Sequence, residues 1–325
     1  MTSLEVSSDA TRRPFEGRRV RLGDLILQGA AGIAALGALV IVGLIIWKVI
    51  EGARLSISTF GLSFVWTDVW DPVHNQFGAG SFLFGTVVTS ISALILATPI
   101  ALGIALFLSE LAPRGWIRGP VTALVETIAA IPSVVIGLWG LLVLAPILRD
   151  HVNPALHSVL GFIPLFGPPG TYGSNVFIAI IVLTIMILPI IASISRELFL
   201  SVPGELKEGA LGLGTTRWEM IRGVVFPYSR GGVAAAMILG LGRALGEAIA
   251  VFLVIGATTG INVNLFKPGN TLAAQIAGNY QGASSGLETS SLIYLGLILL
   301  VFSIIVNLVA QFIVRRSARR LGQVA

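Results

Sequence analysis

Six long apolar runs divide the chain, at about residues 26–50, 82–108, 121–148, 176–194, 233–255 and 292–314, and charged positions gather between them. Each run reaches or approaches the ~20 residues that carry a helix across a hydrocarbon core ~30 Å thick. Inside lipid every backbone N–H and C=O must be bonded within its own segment, so the runs predict helices. The expected fold is all-α, a polytopic transmembrane bundle with about six spans. Residues 1–24 read as a cytoplasmic leader and residues 25–325 as the transmembrane domain. The first run is too long for a signal-peptide core and reads as a retained span.

Composition agrees. Of 325 residues, 55% are hydrophobic and 11% charged, with a mean hydropathy of +0.91. A soluble domain carries roughly a quarter charged residues. The distribution of basic residues orients the bundle. The leader TRRPFEGRRVRLGD holds five arginines, the second loop Arg114 and Arg118, the fourth Arg196, Lys207, Arg217, Arg222 and Arg230, and the tail VRRSARR four more. The alternate loops hold only Lys48, Arg54, Arg149 and Lys267 at or near their edges. The positive-inside rule therefore puts both termini in the cytoplasm. The same clustering argues against nucleic acid as a partner, despite a pI near 10.1.

The absence of cysteine excludes disulfides and thiolate metal sites. His74, His151 and His157 fall in predicted outer loops without a carboxylate cluster, so no metal site is expected. The outer stretches NPALHSVLGFIPLFGPPGTYGSN and INVNLFKPGNTLAAQIAGNYQGASSG are turn-rich and suit interfacial, partner-facing or pore-mouth segments.

Span five carries a conflict. In LGLGRALGEAIAVFLVIG, Arg243 and Glu247 sit where burial in hydrocarbon costs about 2.5–3.5 kcal/mol per charge. Arg243 lies twelve residues past Gly231, about 18 Å along a helix, which is near the midplane. Glu247 follows at i+4 on the same helical face. A self-satisfied pair would hold the bundle together, but buried pairs are poor stabilisers against apolar replacements. A charge lining a pathway is the stronger reading. Arginine offers planar, permanently charged donors for an oxyanion, and Glu247 would hold the empty guanidinium until the anion arrives. The glycines approach a dinucleotide fingerprint, but that motif needs a strand before it. Gly242 and Gly246 instead form a GxxxG pair for helix packing.

Residues 201–232, SVPGELKEGALGLGTTRWEMIRGVVFPYSRGG, predict two short helices broken at glycine. Glu205 and Glu208 suit a first turn, Gly212 and Gly214 a sharp turn, and Thr215 or Thr216 a cap. Trp218, Ile221 and Val225 predict one apolar stripe, with Arg217, Glu219 and Arg222 wet, and Pro227 ends the piece before the next span. An amphipathic helix resting on the membrane would look similar. In span three, Pro132 and Ser133 predict a kink, or freed backbone lining the pathway, and Glu126 is a further intramembrane acid.

The loop's order resembles the EAA loop of ABC-importer permeases. Glu208, Gly209 and Ala210 are followed by three residues and Gly214, then by nine more and Val224, Val225, Phe226 and Pro227. Gly209 departs from the usual alanine. With LGLGRALGEAIAV and AAIPSVVIGLWG, the chain from span two to span six resembles the PstC-type permeases of phosphate ABC importers. That resemblance implies an ATPase coupling loop containing Glu208, Gly209, Ala210, Gly214, Arg217, Trp218 and Pro227. It implies a substrate pathway through Arg243 and Glu247 and no catalytic residue in this chain. It also implies partners: a second, PstA-like permease, two PstB-like ATPase subunits that bind ATP and Mg, an external PstS-like phosphate-binding protein, and membrane lipid. The chain lacks G-x-x-x-x-G-K-[ST], so it has no phosphate cradle of its own. The same architecture would serve sulfate or molybdate. A proton-coupled transporter fits less well because it leaves the loop unexplained, and a membrane-embedded transferase because the sequence offers no carboxylate cluster with metal-ligand spacing and no nucleophile–base pair.

Overall fold

The computed structural model describes residues 22–112, 117–170 and 173–320. Nearly all of the leader and Arg114 lie outside the described residues. Among those described, 6 helical segments are long and apolar enough to cross a membrane: Leu25–Val65, Gly80–Leu111, Ser133–Leu160, Val176–Leu200, Arg217–Gly246 and Gly286–Val314. Residues up to Lys48 form one compact unit and those from Val49 onward a second. The described part of the first is a single apolar helical stretch. All the following concerns the second.

In chain order the elements are α1 (Leu22–Phe60), a short hairpin of β1 (Trp70–Asp71) and β2 (Gln76–Phe77), and α2 (Gly80–Leu106). Next come α3 (Arg118–Ala130), α4 (Ser133–Trp139), α5 (Ala145–Ile147), α6 (Asn153–Leu160) and α7 (Val176–Leu200). The chain continues with α8 (Gly204–Gly212), α9 (Arg217–Met220), α10 (Phe226–Gly246), α11 (Ile249–Ile255), α12 (Leu272–Asn279) and α13 (Gly286–Arg320).

α7 is the central post, packed against α2, α3, α10 and α11. Its Ile178, Ala179, Val182, Ile187 and Ile191 are wholly buried. α2 meets it with Ala93, Ala97 and Ala101, all at 0% exposure. Apolar burial does little to drive helix association in lipid, so such small residues at every fourth position act by letting backbones approach for dispersion contacts. A second cluster joins the end of α1, the hairpin and α13, with Phe64 stacked on Tyr294 at 4.6 Å. Ser56 bonds both Ser290 and Ser291 across the same seam.

Several expectations change. Span three begins at Ser133 rather than near residue 121, because Ile131 and Pro132 both adopt extended backbone. This is a break, not a kink, and α3 is a separate helix before it. π turns at Gly140–Leu144 and Leu148–Val152 then carry the helix on to Leu160. His151 and His157 consequently lie on that helix, not in a loop. The stretch between spans five and six is not an open loop either. Phe266 is wholly buried, and α12, capped by Thr271, packs against α2, α11 and α13. Pro227 does not end the loop helix. A π turn over Ile221–Val225 makes Phe226 N donate to Ile221 O, and Pro227 enters within the first two positions of α10, where a missing N–H is tolerated.

Candidate functional site

Span five is itself broken. α10 ends at Gly246, Glu247 is extended (φ −71°, ψ 120°), and α11 restarts at Ile249. Arg243 and Glu247 therefore do not share one continuous helical face. The break explains why charges sit there. Arg243 lies in the last turn of α10, where the exposed carbonyls favour a cation. The Glu247 carboxylate accepts from Ala250 N at 3.3 Å, satisfying a free donor at the start of α11.

Among the described residues no ion pair joins Arg243 to Glu247. Arg243 is exposed on this chain and Glu247 half-buried. Both line a cleft of ≈ 970 Å³ between α10 and α13, together with Gly242, Gly246, Asn307 and Gln311. The arrangement offers a guanidinium, two amides and one carboxylate to a polar ligand. Gly242 has only the Asn307 amide nearby, at 3.9 Å, and Gly246 has nothing within 4 Å. Within this chain the GxxxG pair opens the cleft and makes no tight helix contact. Gly240 does the packing, with Ile191 3.0 Å from where its Cβ would be.

Span three is broken beside it. α4 and α11 lie together, Gly137 against Ala250 and Gly140 against Val254, so the two half-helices run parallel from neighbouring breaks. Glu126 lies exposed on α3.

The loop region forms a second surface. Gly214 has φ +83°, a left-handed conformation that glycine adopts without strain. Thr216 then caps α9 in a capping box with Glu219. Ile221 and Val225 are buried as expected, in a cluster with Ala105, Phe199 and Val202, and Ala210 packs on it half-buried. Trp218 leaves the stripe and is 62% exposed. Leu206, Leu211 and Leu213 are exposed in the same loop, as are Glu205, Glu208, Gly209, Arg217 and Arg222.

Comparison with known proteins shows the family of the chain. Residues 97–323 match the family of binding-protein-dependent transport system inner membrane components. The phosphate transport system permease protein PstC of Mesorhizobium japonicum is 42% identical over 99% of this chain and 98% of its own length. The chain belongs to the PstC permease family. PstC of Pasteurella multocida is 40% identical over 92% of this chain and 94% of its own length. A subunit of a bacterial alginate ABC transporter, solved with an alginate-bound periplasmic protein, shares the fold with TM-score 0.58 and 18% identity. It matches 94% of this chain and 99% of that chain. A subunit of the MetNI methionine transporter gives TM-score 0.51 at 20% identity, over 72% of this chain and 94% of its own.

Membership makes this chain a multi-pass transport permease. Four residues in these surfaces are not evident from sequence reasoning. Asn307 and Gln311 are two amides at i, i+4 inside an apolar span, a signal visible in VNLVAQ. Lys207 and Glu110 form an ion pair between α8 and the end of span two, and 97 positions of separation left no local pattern to find.

Proposed function

We propose that this chain is a membrane subunit of an ATP-driven importer that carries inorganic phosphate across the bacterial inner membrane by alternating access. The supporting observation is Arg243: a permanent cation in an intramembrane cleft, open on one side of the chain and, among the described residues, in no ion pair. A single permease leaves such a cleft half-built, and a related second permease would close it. The exposed guanidinium then faces the path between the two subunits.

The exposed Trp218 and Leu213, beside the turn at Gly214, suit a groove in a separate ATPase subunit, with Arg217, Glu208 and Arg222 fixing the orientation. ATP and Mg would be bound there. An external phosphate-binding protein would load the opposite side, and both termini of this chain would lie in the cytoplasm. Glu247 would repel an anion that lingers, keeping binding weak enough for passage.

Reconstitution with the second permease, ATPase and binding protein tests the reading. Arg243→Ala is expected to abolish ATP-dependent phosphate uptake while all subunits still co-purify. Uptake at the wild-type rate would remove Arg243 from the pathway.

A further inference from the structure

We infer that the Lys207–Glu110 ion pair is the strap through which the loop helix α8 moves span two, which the loop's own backbone does not reach. This rests on the docking reading of α8 and α9 given above.

Covalently, residues 201–225 connect only α7 and α10. The end of α2 belongs to a distant part of the sequence, yet it is fastened to α8. Lys207 Nζ donates to Glu110 Oε1 at 2.6 Å and to the Phe199 carbonyl at 2.9 Å. The two side chains are 17% and 10% exposed, and no residue of α8 itself is fully buried. A short helix without a buried anchor is held by what few directional contacts it has. One ammonium here ties together three elements: α8, the last turn of α7, and the π turn Phe107–Leu111 that ends span two.

The placement of both charges supports a dedicated link. Glu110 stands in the last turn of its helix, where exposed carbonyls disfavour an acid. Lys207 stands near the start of α8, where free N–H groups disfavour a cation. Each is set against its own helix end, and pairing offsets both. Around them Ala105, Leu102, Leu106 and Ala210 belong to one apolar cluster, which keeps water from much of the pair. An ion pair of low exposure is screened less than a surface one, so it transmits displacement as a short, stiff contact. When an ATPase pushes α8, span two is pulled with it, alongside α7 and α10.

The test uses the complete importer in proteoliposomes, reading phosphate imported per ATP hydrolysed. Lys207→Met is expected to keep the ATPase subunit bound while that ratio falls about fivefold or more. The exchange Lys207→Glu with Glu110→Lys is expected to recover part of it. The chain has no cysteine, so Lys207→Cys with Glu110→Cys gives a second, reversible arm. The ratio should be low with free thiols and rise when a short thiol cross-linker bridges them. A wild-type ratio in Lys207→Met overturns the inference. So does a proportional loss of uptake and hydrolysis that neither the exchange nor the bridge restores, since that marks a merely structural contact. The docking reading fails separately, if Leu213→Asp and Trp218→Asp leave ATPase co-purification intact.

Discussion

Gly137 lies against the backbone of Ala250: a Cβ on Gly137 would stand 2.7 Å from the Ala250 Cα. The contact joins the two half-helices that begin at the breaks in spans three and five. Gly137→Leu should force them apart at a cost of about 1–3 kcal/mol, the usual range for overpacking. Thermal unfolding of the purified complex in detergent measures this. An unshifted melting curve would mean that the half-helices do not touch there.

Gly214 separates a backbone requirement from a space requirement. Its φ is +83°, but a Cβ would meet nothing within 4 Å. Gly214→Val should therefore cost about 1–2 kcal/mol through conformation alone, tilting α9 against α8. ATPase co-purification and uptake are expected to fall while membrane insertion stays normal. Gly212→Ala, equally open and without a left-handed φ, is the matched control. Equal behaviour of the two variants would contradict the turn geometry.

Asn307 and Gln311 line the Arg243 cleft, and under the proposed pathway their amides would bond the anion's oxygens. Asn307→Leu with Gln311→Leu should lower phosphate uptake by about tenfold, the loss of about 1.4 kcal/mol, with assembly unchanged. Uptake kinetics with varied phosphate check this. Wild-type kinetics would show that the cleft wall on α13 is inert.

Phe266 tests the packing of the segment between spans five and six. It is wholly buried, with Phe177 edge-on at 5.7 Å and Phe166 at 5.9 Å. Phe266→Ala should destabilise the chain by about 3–5 kcal/mol. A substitution in a wet loop would leave the melting temperature where it was, and that result would refute the buried placement.

Much of this protein was legible without coordinates. Runs of apolar residues report which segments avoid water, so the existence of six spans and the separation of the 201–232 loop needed no tertiary information. Local chemistry also sufficed where the partner lies three or four residues away. Thr216 caps α9, and Gly214 takes the left-handed turn that the spacing asked for. The EAA-type order and the RALGE run likewise pointed to the family, because both are contiguous.

The tertiary structure decided the rest, and the reason is the same in each case. A helix breaks, bulges or continues past proline according to what replaces its lost hydrogen bonds and to what packs beside it. Pro132 looked like a kink and Pro227 like a terminus; packing of α4 on α11 favoured a break at the first, and a π turn carried the helix through the second. Trp218 shares the apolar spacing of Ile221 and Val225, yet only those two are buried, because the cluster of Ala105, Phe199 and Val202 covers their side alone. The pairing of Lys207 with Glu110, and the meeting of Arg243 with Asn307 and Gln311 across one cleft, depend on which helices stand side by side. Periodicity and charge along a chain register a residue's preference for lipid or water, but they carry no record of its neighbour.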